Sequence, residues 1–319
     1  MSLPLPDPQE NHGPAPASRL KKLLSLSKTL FTPLALACIA WFAWTHRDFL
    51  AQALATAKGE RLVAAVLVWA GIQMLGALFA RTAFASVGLR VPFAAALAIH
   101  GRRMPARYIP GGVWHTVGRV LDYRSLGAGP RQLALFVFLE NAMMPAAAFV
   151  MGGILVWRLH PSPGWASAGA AGAAVGAAGL LAVPFLANRL ILRRPPGPGI
   201  LRTLALAAIC AAFWFLAATA FYLYVSAFPG AEIGGSFLQV AGTYLFSWAV
   251  GFISLFAPQG IGVFEAVAGE MLTGPASLGG LAALVAGFRL TVLAADLLVF
   301  AATRPLQSHV KPAPPDEPA

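Results

Sequence analysis

The sequence predicts an all-α integral membrane protein, with six transmembrane helices and two re-entrant broken-helix hairpins arranged as two inverted-topology repeats. Three observations carry that reading: apolar runs of helix-span length, basic residues confined to particular connections, and two further apolar segments interrupted by Pro and Gly. Composition agrees. Of 319 residues, 58% are hydrophobic and 11% charged, with mean hydropathy +0.70, whereas soluble domains carry about 25% charged residues.

Residues 1–28 read as a disordered basic cytoplasmic tail, polar and Pro-rich before Arg19, Lys21, Lys22 and Lys28. The membrane domain then covers 29–304. Its first apolar run, Leu30 to Trp44, is short and is followed by small residues at Ala51 and Ala53, the pattern of a signal peptide. A long polar stretch precedes it, unlike a signal peptide, so it is assigned as a transmembrane helix.

Five more runs extend from about Leu62 to Ala85, Gln132 to Trp157, Trp165 to Ala187, Leu201 to Ala227 and Leu278 to Thr303. Each is near the ~20 residues that cross ~30 Å of hydrocarbon. Between them lie the interrupted segments, Pro92 to Leu121 and Gly235 to Leu272. Residues 305–319 form a Pro-rich cytoplasmic tail.

The formal charge of +11 is scattered between apolar segments instead of forming one basic face, which argues against a nucleic-acid partner and for topology and anionic lipid. Basic residues cluster before the first span, from Arg90 to Arg131, from Arg189 to Arg202, and at Arg304 and Lys311. The positive-inside rule makes all four stretches, and both termini, cytoplasmic. The first interrupted segment then enters and leaves from the cytoplasm and the second from the opposite face. Span, span, hairpin, span (about 30–157) is thus repeated inverted over about 165–303, an arrangement that places a transport site where broken helices meet.

The first break is "YIPGGVWHTVGR". Pro110 removes a donor, while Gly111 and Gly112 admit conformations closed to other residues. Amides beyond the break are then available to an anion, and Arg107 and Arg119 flank them with groups suited to phosphate. His115 and Trp114 read first as interface residues.

The second break, "APQGIGVFEA", holds Pro258, Gly260, Gly262 and then Glu265. Two more intramembrane charges, Glu140 and Arg289, follow Pro110 and Pro258 at nearly equal intervals, so the repeat predicts that they pair across the pseudo-twofold. Asn141, Arg81 and Asp296 are weaker polar candidates.

"GWASAGAAGAAVGAAG" reads as a small-residue helix-packing face. Cys38 and Cys210 read as apolar core residues. No nucleotide loop, zinc-protease motif or nucleophile elbow occurs, and no cofactor or metal site is expected.

At the two breaks, Tyr108-Ile109-Pro110-Gly111 and "PQGIGVFE" from Pro258 to Glu265, the chain resembles the transmembrane region of the lysylphosphatidylglycerol synthase/flippase family, over about residues 30–303. It departs at Gln259, where that family commonly has Gly. The resemblance implies a bacterial inner-membrane protein that moves a phospholipid or lipid-linked headgroup. It covers the membrane part alone, without the soluble aminoacyltransferase domain, so lipid aminoacylation is not expected.

The substrate-binding set predicted from the sequence is Arg107, Pro110, Gly111, Gly112, His115, Arg119, Glu140, Pro258, Gly260, Gly262, Glu265 and Arg289. The expected partner is an anionic lipid in the membrane, with a homo-oligomer or a partner membrane enzyme left open. The alternative function is an integral membrane transferase, or an accessory subunit acting on lipid-linked substrates, for which His115 and Glu265 are the available acid-base groups.

Overall fold

A computed structural model describes residues 37, 40, 41, 43–109, 113–192, 199–254, 260–272, 274 and 277–310. The helices are α1 (Arg47–Ala55), α2 (Gly59–Ala85), α3 (Phe93–Arg102), α4 (Trp114–Ser125), α5 (Pro130–Leu159), α6 (Pro163–Leu186), α7 (Ile200–Val225), α8 (Phe237–Ile253), α9 (Val263–Met271) and α10 (Leu278–Ala302). Short 3-10 turns occupy Met104–Tyr108, Pro229–Ala231 and Arg304–His309, and a π-turn extends α6 over Ala187–Leu192. There is no β-sheet among the described residues.

Five helices are long and apolar enough to cross a membrane: α2, α5, α6 with its π-turn, α7 and α10. They coincide with five of the six predicted spans. Most of the sixth, Leu30 to Trp44, lies outside the described residues. Each interrupted segment is a pair of helices, α3 with α4 and α8 with α9.

The 30-residue α5 gives the bundle its two ends. At its first turn, the Gln132 side chain donates to the Val87 carbonyl just ahead of α3 (3.0 Å). At its last, Gln239 on α8 donates to the Leu159 carbonyl (3.4 Å). The two helix pairs therefore fold in from opposite ends of α5. From Val87 the chain turns back, and α3 runs antiparallel along α2 until His100 packs against Gly76, where a Cβ would come within 2.7 Å of the imidazole. From Gln239, α8 runs antiparallel along α5: a Cβ on Gly242 would meet Leu155, and one on Gly152 would stand 2.5 Å from the Phe246 amide nitrogen.

The Gly/Ala-rich α6 lies on α5 at van der Waals distance of the backbone. A Cβ on Gly153 would be 2.5 Å from the Gly169 carbonyl oxygen, and one on Gly176 would be 2.6 Å from that of Ala146. The stripe is a packing face, because in lipid close backbone approach takes the place of the hydrophobic drive.

Each half also holds an aromatic cluster. Phe84, Tyr123 and Phe136 join α2, α4 and α5, with ring centroids 4.6–5.3 Å apart. Phe221 touches Tyr244, Phe264 and Phe288, joining α7 to α8, α9 and α10. Cys210 is a buried free thiol, while Cys38 is outside the described residues.

Candidate functional site

Charged groups inside a bundle of apolar helices are costly unless paired, and here they are paired in a pattern that follows the helix pairs. Arg119 on α4 holds Glu140 on α5 through both terminal nitrogens, Nη1 at 2.8 Å from Oε1 and Nη2 on Oε2. Glu265 on α9 holds Arg289 on α10, Arg289 Nε donating to Oε1 at 2.6 Å. The expected pairing of Glu140 with Arg289 is thus corrected. Each charge is satisfied by the outer arm of the hairpin immediately before its own helix, which lies nearer than any group across the bundle.

Glu265 has a second task. Its Oε2 accepts the Gly262 N–H at 2.7 Å, capping α9. Gly260 and Gly262 both have positive φ (67° and 85°), and a Cβ on Gly260 would stand 2.9 Å from Gly251 on the facing arm. The glycines of the second break are therefore required by a tight turn that aims Glu265 at Arg289. Pro110, Gly111, Gly112 and Pro258 lie outside the described residues.

The turn Met104–Tyr108, which ends the inward path of α3, delivers Arg107 and Tyr108 to Asp296 on α10. Arg107 Nη1 donates to Oδ2 at 3.2 Å and the Tyr108 hydroxyl donates to the same oxygen at 3.0 Å. The other oxygen, Oδ1, accepts from the Gln73 side-chain nitrogen of α2 at 3.2 Å. Gln73 Oε1 in turn contacts His100 Nε2 at 2.9 Å, and His100 Nδ1 lies 3.4 Å from Arg119 Nη1. Since the amide oxygen only accepts and the guanidinium only donates, His100 carries its hydrogen on Nε2. One chain of contacts therefore runs Glu140–Arg119–His100–Gln73–Asp296–Arg107, from α5 to α10.

The arginines differ in access. The Arg119 side chain is 2% exposed, whereas Arg107 and Arg289 are 38% and 32% exposed. Arg107, held on Asp296, and Arg289 thus stand two turns apart along one face of α10. Beyond its bond to Glu265, Arg289 makes no hydrogen bond among the described residues. Arg107 and Arg289 are hence the cations placed to meet an outside group, and Arg119 is placed to hold α4 to α5.

His115, Arg119 and Tyr123 share one face of α4 at intervals of four. Each has a buried polar atom without a hydrogen-bond partner: His115 Nε2, Arg119 Nε and the Tyr123 hydroxyl. Nearer the hairpin base, Asp122 ties the two arms together by accepting from Arg102 Nε (2.9 Å) and Arg103 Nε (2.7 Å). Residue-by-residue reading missed Gln73, His100 and Asp122 and underweighted Asp296. The available signals were a lone amide in the middle of an apolar run and the seven-residue spacing of Arg289 and Asp296, which puts both on one helix face. No group of three or more metal-ligating side chains occurs among the described residues.

Fold and site together define a membrane-embedded helical protein with paired charges between its helices. Comparison with protein-family models and with curated proteins finds no match to this chain.

Proposed function

We propose that the chain is a flippase-like lipid-transport protein of the bacterial inner membrane, moving a phospholipid or lipid-linked headgroup between leaflets, with both termini cytoplasmic. In this reading it has six spans and two inverted repeats, and α3–α4 and α8–α9 are re-entrant hairpins. Several correspondences support the repeat. The carboxylate-guanidinium pair between outer arm and following helix occurs in both halves with its charges exchanged, Arg119–Glu140 and Glu265–Arg289. The aromatic clusters join equivalent elements. Hairpins from opposite ends are what a repeat inverted in the membrane produces.

The observation that carries the function is the pair of partly exposed guanidiniums, Arg107 held on Asp296 and Arg289 two turns earlier on the same face of α10, among apolar helices. Such groups at membrane depth mark a substrate path, and guanidinium binds phosphate with two parallel hydrogen bonds. The resemblance of both breaks to the lysylphosphatidylglycerol synthase/flippase membrane region points the same way.

The test is movement of fluorescent phosphatidylglycerol between leaflets of vesicles reconstituted with the purified chain. Arg107→Ala and Arg289→Ala should each slow it about tenfold or more, the worth of a lost charge-assisted hydrogen bond. Leu181→Ala, on an exposed part of α6, should leave it unchanged. Wild-type rates retained in both arginine variants would remove the site from the mechanism. A chemically altered lipid recovered from the vesicles would favour the transferase reading.

A further inference from the structure

Four charges surround the proposed headgroup site, and they cancel: Arg107 with Asp296, and Arg289 with Glu265. A phosphodiester entering this site adds one negative charge to a neutral cluster whose two carboxylates are buried. Uncompensated charge in such surroundings is strongly disfavoured. Either carboxylate could be neutralised by a proton, but the two are not equivalent. Glu265 must remain an acceptor for both Arg289 and the Gly262 amide, because it caps the turn of the second hairpin. Asp296 caps nothing; its partners are side chains, namely Arg107, Tyr108 and Gln73, with the Trp69 indole of α2 beside them.

We propose that the site takes up one proton with each anionic headgroup it binds, the proton residing on the Asp296 carboxyl while Arg107 passes from that carboxylate to the phosphate. This rests on the lipid-transport reading and deepens it, since it makes the protein a proton-linked carrier of a monoanionic phosphodiester lipid. The balance is simple: one proton and one anion enter, and the cluster stays neutral.

The groups facing Asp296 permit this. From the turn Met104–Tyr108 come Arg107 and the Tyr108 hydroxyl, from α2 Gln73 and the Trp69 indole, and from α3 His100 behind Gln73. On α10 itself, Arg289 lies two turns earlier and remains with Glu265 of α9. No second carboxylate contacts Asp296 among the described residues.

The experiment measures binding of dihexanoyl phosphatidylglycerol to the purified full chain in detergent, calorimetrically and in buffers of different ionisation enthalpy. That lipid's phosphodiester does not titrate near neutrality, so any proton taken up enters the protein. Uptake of about one proton per lipid is expected, with affinity falling about tenfold per pH unit on the alkaline side. Asp296→Asn should bind with no proton uptake and no pH dependence. Binding by the wild type without proton uptake overturns the inference while leaving lipid transport standing, and that count does not depend on any variant folding. Unchanged uptake in Asp296→Asn overturns the role of Asp296. Absence of lipid binding, or binding of tail-less dimethyl phosphate in its place, overturns the lipid reading and this inference together.

Discussion

An arginine in a lipid-facing bundle is held by a carboxylate, and what it can do afterwards depends on how much of it remains uncovered. Arg119 gives both terminal nitrogens to Glu140, stacks its guanidinium carbon 5.1 Å from the Phe136 ring centre and is almost fully buried. It therefore acts on α4 and α5 rather than on a ligand. Breaking a buried pair from one side leaves an uncompensated charge, so Arg119→Met should cost about 3–5 kcal/mol, whereas Arg119→Met combined with Glu140→Leu should recover most of that. Thermal unfolding of the purified variants checks it, and equal losses in single and double variants would show that the pair is not what holds α4. Glu140, Glu265 and Arg289 were each legible in the sequence as charges in apolar runs, and Arg119 as a cation flanking the first break. Their partners were not, because pairing depends on how far each hairpin arm reaches along the next helix, and that depth is set by packing such as His100 on Gly76.

Among the elements, α6 shows how composition becomes contact. Its glycines leave room for the α5 backbone, with Gly169 facing Gly153 and Trp157, and Gly176 facing Ala146 and Phe149. Gly169→Leu must push the two helices apart, and overpacking of this kind costs about 1–3 kcal/mol. Gly71→Ala on α2, where an added Cβ meets nothing within 4 Å, should instead stabilise by up to about 1 kcal/mol through helix propensity. Unfolding midpoints of the two variants should move in opposite directions, and a neutral Gly169→Leu would refute the packing account. Five of the predicted spans were legible because length and hydropathy suffice to identify a helix able to cross lipid. The division of each interrupted segment into two helices was legible because Pro and Gly fall together within an apolar run. Register was not, since α2, α5, α6 and α7 are apolar over most of their circumference, which gives no periodic stripe to say which face turns inward. Only the small residues and the isolated polar ones mark the inner faces, and their meaning emerges with their neighbours.

At the scale of the whole molecule, the decisive quantity is the separation between the two hairpin bases. α5 has 30 residues, which at about 1.5 Å per residue is about 45 Å, longer than the ~30 Å of hydrocarbon it would cross. Val87, tied to Gln132, and Gln239, tied to Leu159, mark its two ends, so the loops beside them must open to different aqueous phases if α5 spans. Arg90 and Ser236 are exposed residues at these two bases. With Cys38 replaced by Ser and Cys210 by Ala, a single Arg90→Cys should react with an impermeant maleimide only from the side that carries the chain termini. Ser236→Cys should react only from the other. The assignment of sides comes from the excess of Arg and Lys around the first hairpin and both termini, whereas the opposition of the two bases comes from α5 alone. The experiment separates these arguments. Both cysteines labelled from one side would mean that α5 does not span and that the hairpins are not opposed. Labelling from opposite sides, but with the sides exchanged, would preserve the inverted arrangement and refute only its orientation.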